Sequence, residues 1–133
     1  MPNFRIFNPP TIHRPAGYSH VAEISSGKIV YIAGQVAIDP AGAVVGAGDF
    51  RAQVEQVFAN LKAALTSVGA DFSSVVKFNC YCVESVDPKE IATFREIRDQ
   101  HVNTANPPAS TFVVVSRLVR PEWLIEVEAV AVV

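Results

Sequence analysis

The sequence predicts an α+β fold in which one mixed sheet carries two helices on one face, in the order β-β-β-α-β-α-β-β. Three observations predict it. Two stretches repeat apolar residues at helical spacing behind clear N-terminal caps, and short runs rich in Val, Ile, Phe and Tyr surround them. No repeat, low-complexity tract or linker interrupts residues 1–133, which read as one domain. The length of 133 residues suits a single core, and 50% hydrophobic side chains exclude intrinsic disorder.

Phe4-Arg5-Ile6-Phe7 reads as a short first strand, stopped by Asn8-Pro9-Pro10. Val21-Ala22-Glu23-Ile24 and Lys28-Ile29-Val30-Tyr31-Ile32-Ala33 flank Ser25-Ser26-Gly27, the pattern of a hairpin. Asp39-Pro40-Ala41-Gly42 is a turn, and the glycines through Gly48 keep that region a loop. Asp49 then caps a helix whose apolar stripe is Phe50, Val54, Val57, Phe58, Leu61, Leu65 and Val68, with Gly69 as its stop.

Val75 to Val83 is a strand. The second helix opens on Asp87-Pro88-Lys89-Glu90: a cap, a proline at the first helical position and a glutamate three residues after the cap. Ile91, Phe94, Ile97 and Val102 form its stripe, and Asn103 through Pro108 end it. Thr111 to Val115 and Trp123 to Val133 are the last two β runs, divided by Arg120-Pro121-Glu122. Leu124, Ile125, Val127, Val130, Val132 and Val133 make the last run apolar on both alternations, so the face opposite the helices is expected to be covered by other subunits.

Composition excludes several classes of function. Eleven Lys and Arg against thirteen Asp and Glu give a net charge of -2, with no basic face for nucleic acid. The least polar stretch, Ile29 to Ile38, is half the roughly 20 residues that span a bilayer and contains Gln35, so no membrane anchor is expected. Met1-Pro2-Asn3-Phe4-Arg5 lacks the charged-then-apolar order of a signal peptide. Two cysteines make no disulfide framework, and a reducing cytoplasm is the expected location.

Few constellations carry chemistry on residue type alone. Cys80 and Cys82 share one strand face and read as buried structural thiols, since His13, His20 and His101 are scattered and give no metal-type spacing. No histidine pairs with a nucleophile and an acid as a hydrolytic triad requires. Gly46-Ala47-Gly48-Asp49 lacks the Lys-Ser/Thr of a phosphate loop and reads as a connector. Glu126 and Glu128 share one face of an apolar strand, so either that face is wet or one carboxyl sits in a cleft with a raised pKa suited to proton transfer. Tyr18, in Ala16-Gly17-Tyr18-Ser19-His20, suits either packing or a polar contact.

Taken in order, these segments resemble the RidA family (YjgF/L-PSP) across nearly the whole chain. Gly17-Tyr18-Ser19 is similar to its G-P-Y-S, Tyr31 to Val36 to its S-G-Q strand end, and Asp39-Pro40-Ala41-Gly42 to its D-P-x-T-G turn. Gln56 to Leu61 resembles Q-x-x-x-N-(L/I), and Asp71 to Tyr81 resembles D-V-V-K-x-x-x-Y. Pro108-Ala109-Ser110 and Ile125 to Ala129 align with P-A-R-S and V-E-I-E-A.

The resemblance implies a chorismate-mutase-like fold and a homotrimer with a small-molecule cleft between each pair of subunits. Deaminating members hydrolyse imines or enamines of small 2-amino acids to keto acids and ammonia. It implies Tyr18 and Glu126 as catalytic residues, Gly34 as the positioning backbone, and no metal or organic cofactor. The family arginine that grips the substrate carboxylate is Ser110 here, and Ala33 replaces the serine of S-G-Q. A guanidinium gives a carboxylate two parallel charged hydrogen bonds, worth about 1.5–3 kcal/mol each against about 1 for a neutral donor. The substrate is therefore expected to differ from 2-aminoacrylate.

Arg95 falls where the family often carries an asparagine near the cleft, and Arg98 is one turn further on; Arg95, with Arg98 second, is the candidate cation for a different or longer anion. Arg117 and Arg120 are weaker candidates. Ser110 and Phe112 would form the pocket floor. A non-catalytic trimer binding a small metabolite or a protein partner is the alternative reading, and an endoribonuclease ranks last on charge.

Overall fold

The computed structural model describes residues 3–133; Met1 and Pro2 of the leading segment lie outside them. The strands are β1 (Phe4–Phe7), β2 (Val21–Ile24), β3 (Ile29–Gln35), β4 (Val75–Val83), β5 (Ala109–Val115) and β6 (Ile125–Val132), with helices α1 (Phe50–Ser67) between β3 and β4 and α2 (Ile91–Asp99) between β4 and β5. This is the expected α+β order.

Four strands form one mixed sheet in the order β3-β6-β4-β5, with β4 and β5 parallel and the other pairs antiparallel. β1 and β2 form a separate antiparallel ladder. The Ser25-Ser26-Gly27 turn exists, but it does not close a β2–β3 hairpin. Ser25 and Ser26 turn their N–H groups onto the Asn3 carbonyl, while Lys28 pairs with Val133, so β2 and β3 spend their hydrogen bonds on different neighbours.

α1 follows its sequence signals closely. Asp49 accepts from the Ala52 N–H at 3.1 Å, and Gly69, at φ +71°, reverses the chain after it. α2 departs from them. Asp87 accepts from the Lys89 N–H, but Pro88–Glu90 is a turn of 3-10 helix, the Glu90 side chain makes no capping bond, and the α-helix begins at Ile91. It also ends earlier than the apolar stripe extends: Gln100 and His101 bond back to Ile97 and Arg98, tightening the last turn, and Val102 is buried beyond the helix.

Both helices pack on one face of the four-stranded sheet. Val54, Val57, Phe58, Leu61 and Leu65 of α1 and Phe94 and Ile97 of α2 meet Phe78, Cys80, Cys82, Ile125 and Val127. Phe58 is the hub, in contact with the rings of Phe72, Phe78 and Phe94 and stacked on His101. Burial lowers the His101 pKa, with help from Lys62. The thiols belong to this core, and burial pushes Cys80 up to about 12 and Cys82 to about 11. The opposite face of the sheet is less covered: Tyr31 is 79% exposed and Ile29 50%. Among the described residues no helix is long and apolar enough to cross a membrane.

Candidate active site

The residues singled out from sequence divide between the two faces of the sheet. On the helix side, Ser110 and Phe112 of β5 pair in register with Phe78 and Cys80 of β4, which fixes their side chains toward α2. The segment before β2 crosses the same end of the sheet, since Ser19 bridges to Ala109 and donates to the Pro108 carbonyl. Together with Arg95 and Arg98 of α2 they enclose a cavity of about 400 Å³, into which Tyr18, Ser110 and Phe112 all reach. Arg95 is exposed at its rim, whereas Arg98 is buried.

Glu126 lies on the other face, paired with Tyr81 of β4, and Glu128 pairs with Asn79. The Tyr81 hydroxyl donates to Glu128 Oε1 at 2.8 Å. Glu126 is half-buried, and its carboxyl is raised above the ordinary value of 4.5 by burial first and by Glu128 second. Gly34 stands against it. Ile32 pairs with Ala129 but Gln35 with Val127, so β3 carries one extra residue there, a bulge that brings the Gly34 backbone onto the carboxyl. A Cβ on Gly34 would overlap Glu126 Oε2 and stand 2.8 Å from its Cδ. Only glycine permits this approach.

A family model described as Endoribonuclease L-PSP matches residues 11–133. The chain belongs to this family, the RidA (YjgF/L-PSP) family. Protein DfrA of Myxococcus xanthus is 36% identical over 115 residues, 86% of this chain and 84% of that protein. The human 2-iminobutanoate/2-iminopropanoate deaminase is 31% identical over 105 residues, 79% of this chain and 73% of that one. The crystal structure of a Yersinia pestis protein of unknown function, YyfB of the Rid family, superposes with a TM-score of 0.86 at 38% identity, covering 98% of this chain and 99% of that chain.

For a RidA-family chain, the site contains features that residue spacing did not reveal. Sequence reading left the histidines scattered, yet His13 and His20 converge on Tyr18. His13 Nε2 and the Tyr18 hydroxyl share a hydrogen bond of 3.1 Å, His20 Nε2 donates to the His13 carbonyl at 2.7 Å, and the His20 ring meets both other rings edge-on. The cluster fixes the direction of the phenol without forming a triad. Its signal was available as three ring residues within one proline-rich turn. Lys77 donates to Thr111 at 2.7 Å on the Glu126 face of the sheet. Arg98, ranked second from sequence, is the deeper of the two arginines in the cavity, at 7% exposure.

Proposed function

We propose that this RidA-family protein hydrolyses an imine or enamine of a small amino acid to its keto acid and ammonia, in clefts shared between copies of the chain in a homotrimer. The observation that carries this reading is the Glu126 carboxyl, half-buried, held toward its protonated form and packed on the Gly34 backbone. A carboxyl tuned upward in this way is better suited to exchange a proton with substrate than a free carboxylate is. The name of the human relative, 2-iminobutanoate/2-iminopropanoate deaminase, supports the same chemistry.

In this reading Glu126 takes a proton from water as its oxygen adds to the C=N carbon. The resulting carbinolamine carries hydroxyl and amino groups on one carbon. Glu126 returns water's proton to nitrogen, then takes the hydroxyl proton and hands it to nitrogen as the C=O forms and the C–N bond breaks with its electron pair on nitrogen, so that keto acid and ammonia leave. Tyr18, aligned by His13, donates to the substrate, Ser110 and Phe112 form the floor, and Arg95 supplies positive charge at the rim. No residue here needs a metal or cofactor for these steps. Ser110, in place of the family arginine, supports a substrate unlike 2-aminoacrylate; it equally favours the alternative, a trimer that binds a metabolite without turning it over.

The test generates 2-iminopropanoate and related imines with an amino-acid oxidase and traps survivors with semicarbazide. Wild type should accelerate imine loss, Glu126→Gln should not, and Ser110→Arg should gain activity on 2-iminopropanoate by tenfold or more, the order expected for adding a bidentate carboxylate partner. Inert wild-type protein with every imine tried leaves the metabolite-binding alternative.

A further inference from the structure

The cavity beside Ser110 carries more positive charge than one small carboxylate needs. Arg95 and Arg98 both line it, three residues apart on one face of α2, and no carboxylate among the described residues does. The two arginines are set differently. Arg95 is exposed at the rim, whereas Arg98 is only 7% exposed, and a buried arginine is rare unless paired. Asp99 supplies the pair by one oxygen alone: Nε and Nη2 of Arg98 both donate to Oδ1, at 2.9 and 2.8 Å. A guanidinium has five N–H donors, so the Nη1 edge and one proton of Nη2 stay unspent among the described residues.

Gly17 completes the arrangement. A Cβ at this position, where φ is +79°, would stand 2.9 Å from Arg98 Nη2, so glycine leaves the guanidinium its space between the Tyr18 turn and the cavity. Asp99 on one side and Gly17 on the other hold the fork still before any ligand arrives. This is the preorganisation that makes a charged contact effective. Ser110 offers a neutral hydroxyl nearby, and Ile91, Phe94 and Phe112 give the cavity an apolar wall.

We propose that Arg98 anchors the 2-carboxylate of the ligand and that Arg95 receives a second acidic group, so that this cleft prefers short 2-oxo and 2-imino dicarboxylates to monocarboxylates. The inference rests on the reading of this cavity as the substrate half of the site. A monocarboxylate engages Arg98 and leaves Arg95 in solvent. A second carboxylate reaches the rim across one helical turn and gains a further charge-assisted contact.

The experiment titrates the whole protein by calorimetry with 2-oxoglutarate and, separately, 2-oxobutanoate, stable keto acids whose binding needs no turnover. Wild type should bind 2-oxoglutarate at least about tenfold more tightly, one charge-assisted contact's worth. Arg95→Ala, a change at an exposed side chain, should erase that preference, weakening 2-oxoglutarate about tenfold and 2-oxobutanoate far less. Arg98→Lys keeps the charge but loses the planar fork, and should weaken both ligands, with a thermal melt reporting whether the Tyr18 turn stays folded. Equal wild-type affinities, no binding of either acid, or a preference that survives Arg95→Ala overturns the inference. Glu126→Gln should keep the preference. A wild type that shows the preference but hydrolyses no imine sinks the hydrolase reading and leaves this one standing.

Discussion

Glu126 is the residue on which the proposed hydrolysis leans most, and its titration has a sign that can be worked out. Burial, then Glu128, raises its pKa above 4.5 in the folded protein. The folded state therefore holds that proton more tightly than the unfolded chain does. The stability this gives is fully present below the ordinary carboxylate pKa and is lost as pH rises through the raised value. Above that window the charged carboxyl stays at a fixed disadvantage, beside a second carboxyl and out of full solvent. Glu126→Gln keeps the shape and removes the ionisation. Its melting temperature should rise relative to wild type as pH is taken from below 4.5 to neutrality, and the gap should then level off. Parallel melting curves at all pH values would mean that Glu126 titrates as a free side chain, and the proton-transfer role would lose its physical basis.

At the scale of elements, α1 is held to the rest of the chain by a side chain that hydrophobic pattern alone does not reveal. Gln53 is fully buried among apolar neighbours, donating to the Gly46 and Glu122 carbonyls at 3.1 and 2.9 Å and accepting from the Leu124 N–H at 2.9 Å. It ties the loop before α1 to the start of β6, the strand that carries Glu126. Gln53→Leu preserves bulk but orphans the Leu124 N–H and the Glu122 carbonyl, while the Gly46 carbonyl keeps the Asp49 N–H, and should destabilise the fold by about 2–4 kcal/mol in urea unfolding. A loss below half a kilocalorie, roughly the scatter of surface substitutions, would mean that water satisfies both orphaned groups. The same contrast divides what was legible in the sequence. Period, caps and Gly69 made α1 readable because those are local properties, and β4 was readable from its continuous β-forming run. The partners of β2 and β3 were not, because strand pairing is settled by residues far along the chain. Nor was the depth of Arg98: spacing put it beside Arg95 on one helix face, but its burial comes from the Gly17–Tyr18 turn folding over α2. Residue type alone offered Glu126 only as one of two carboxyls on a shared face, and Gly34 was legible only through the motif resemblance, since their contact depends on a bulge that leaves no mark in residue type.

In the proposed site, the residues given catalytic and binding roles lie on opposite faces of the sheet, which one copy of the chain does not bring together. Tyr18 and Ser110 line a cavity on the helix side of β5, while Gly34 and Glu126 meet on the reverse face of the same sheet. That reverse face also displays Tyr31, the aromatic side chain of β3, with Ile29 and Val113, apolar area of the kind that marks contact between chains. If the cleft closes between neighbouring copies, each site takes Tyr18 from one subunit and Glu126 from the next. Two separately inactive variants then carry complementary damage. Tyr18→Phe and Glu126→Gln, co-expressed in equal amounts and purified as mixed trimers, should recover about a quarter of wild-type activity, because a random cyclic arrangement unites an intact Tyr18 with an intact Glu126 at one junction in about four. Mixing the pre-formed trimers without exchange should recover nothing. Sedimentation should give a particle of three 14.4 kDa chains in every case. If the co-expressed trimers stay as inactive as their parents, both residues act within one chain, and the reading of the site as a product of assembly fails even though the fold stands.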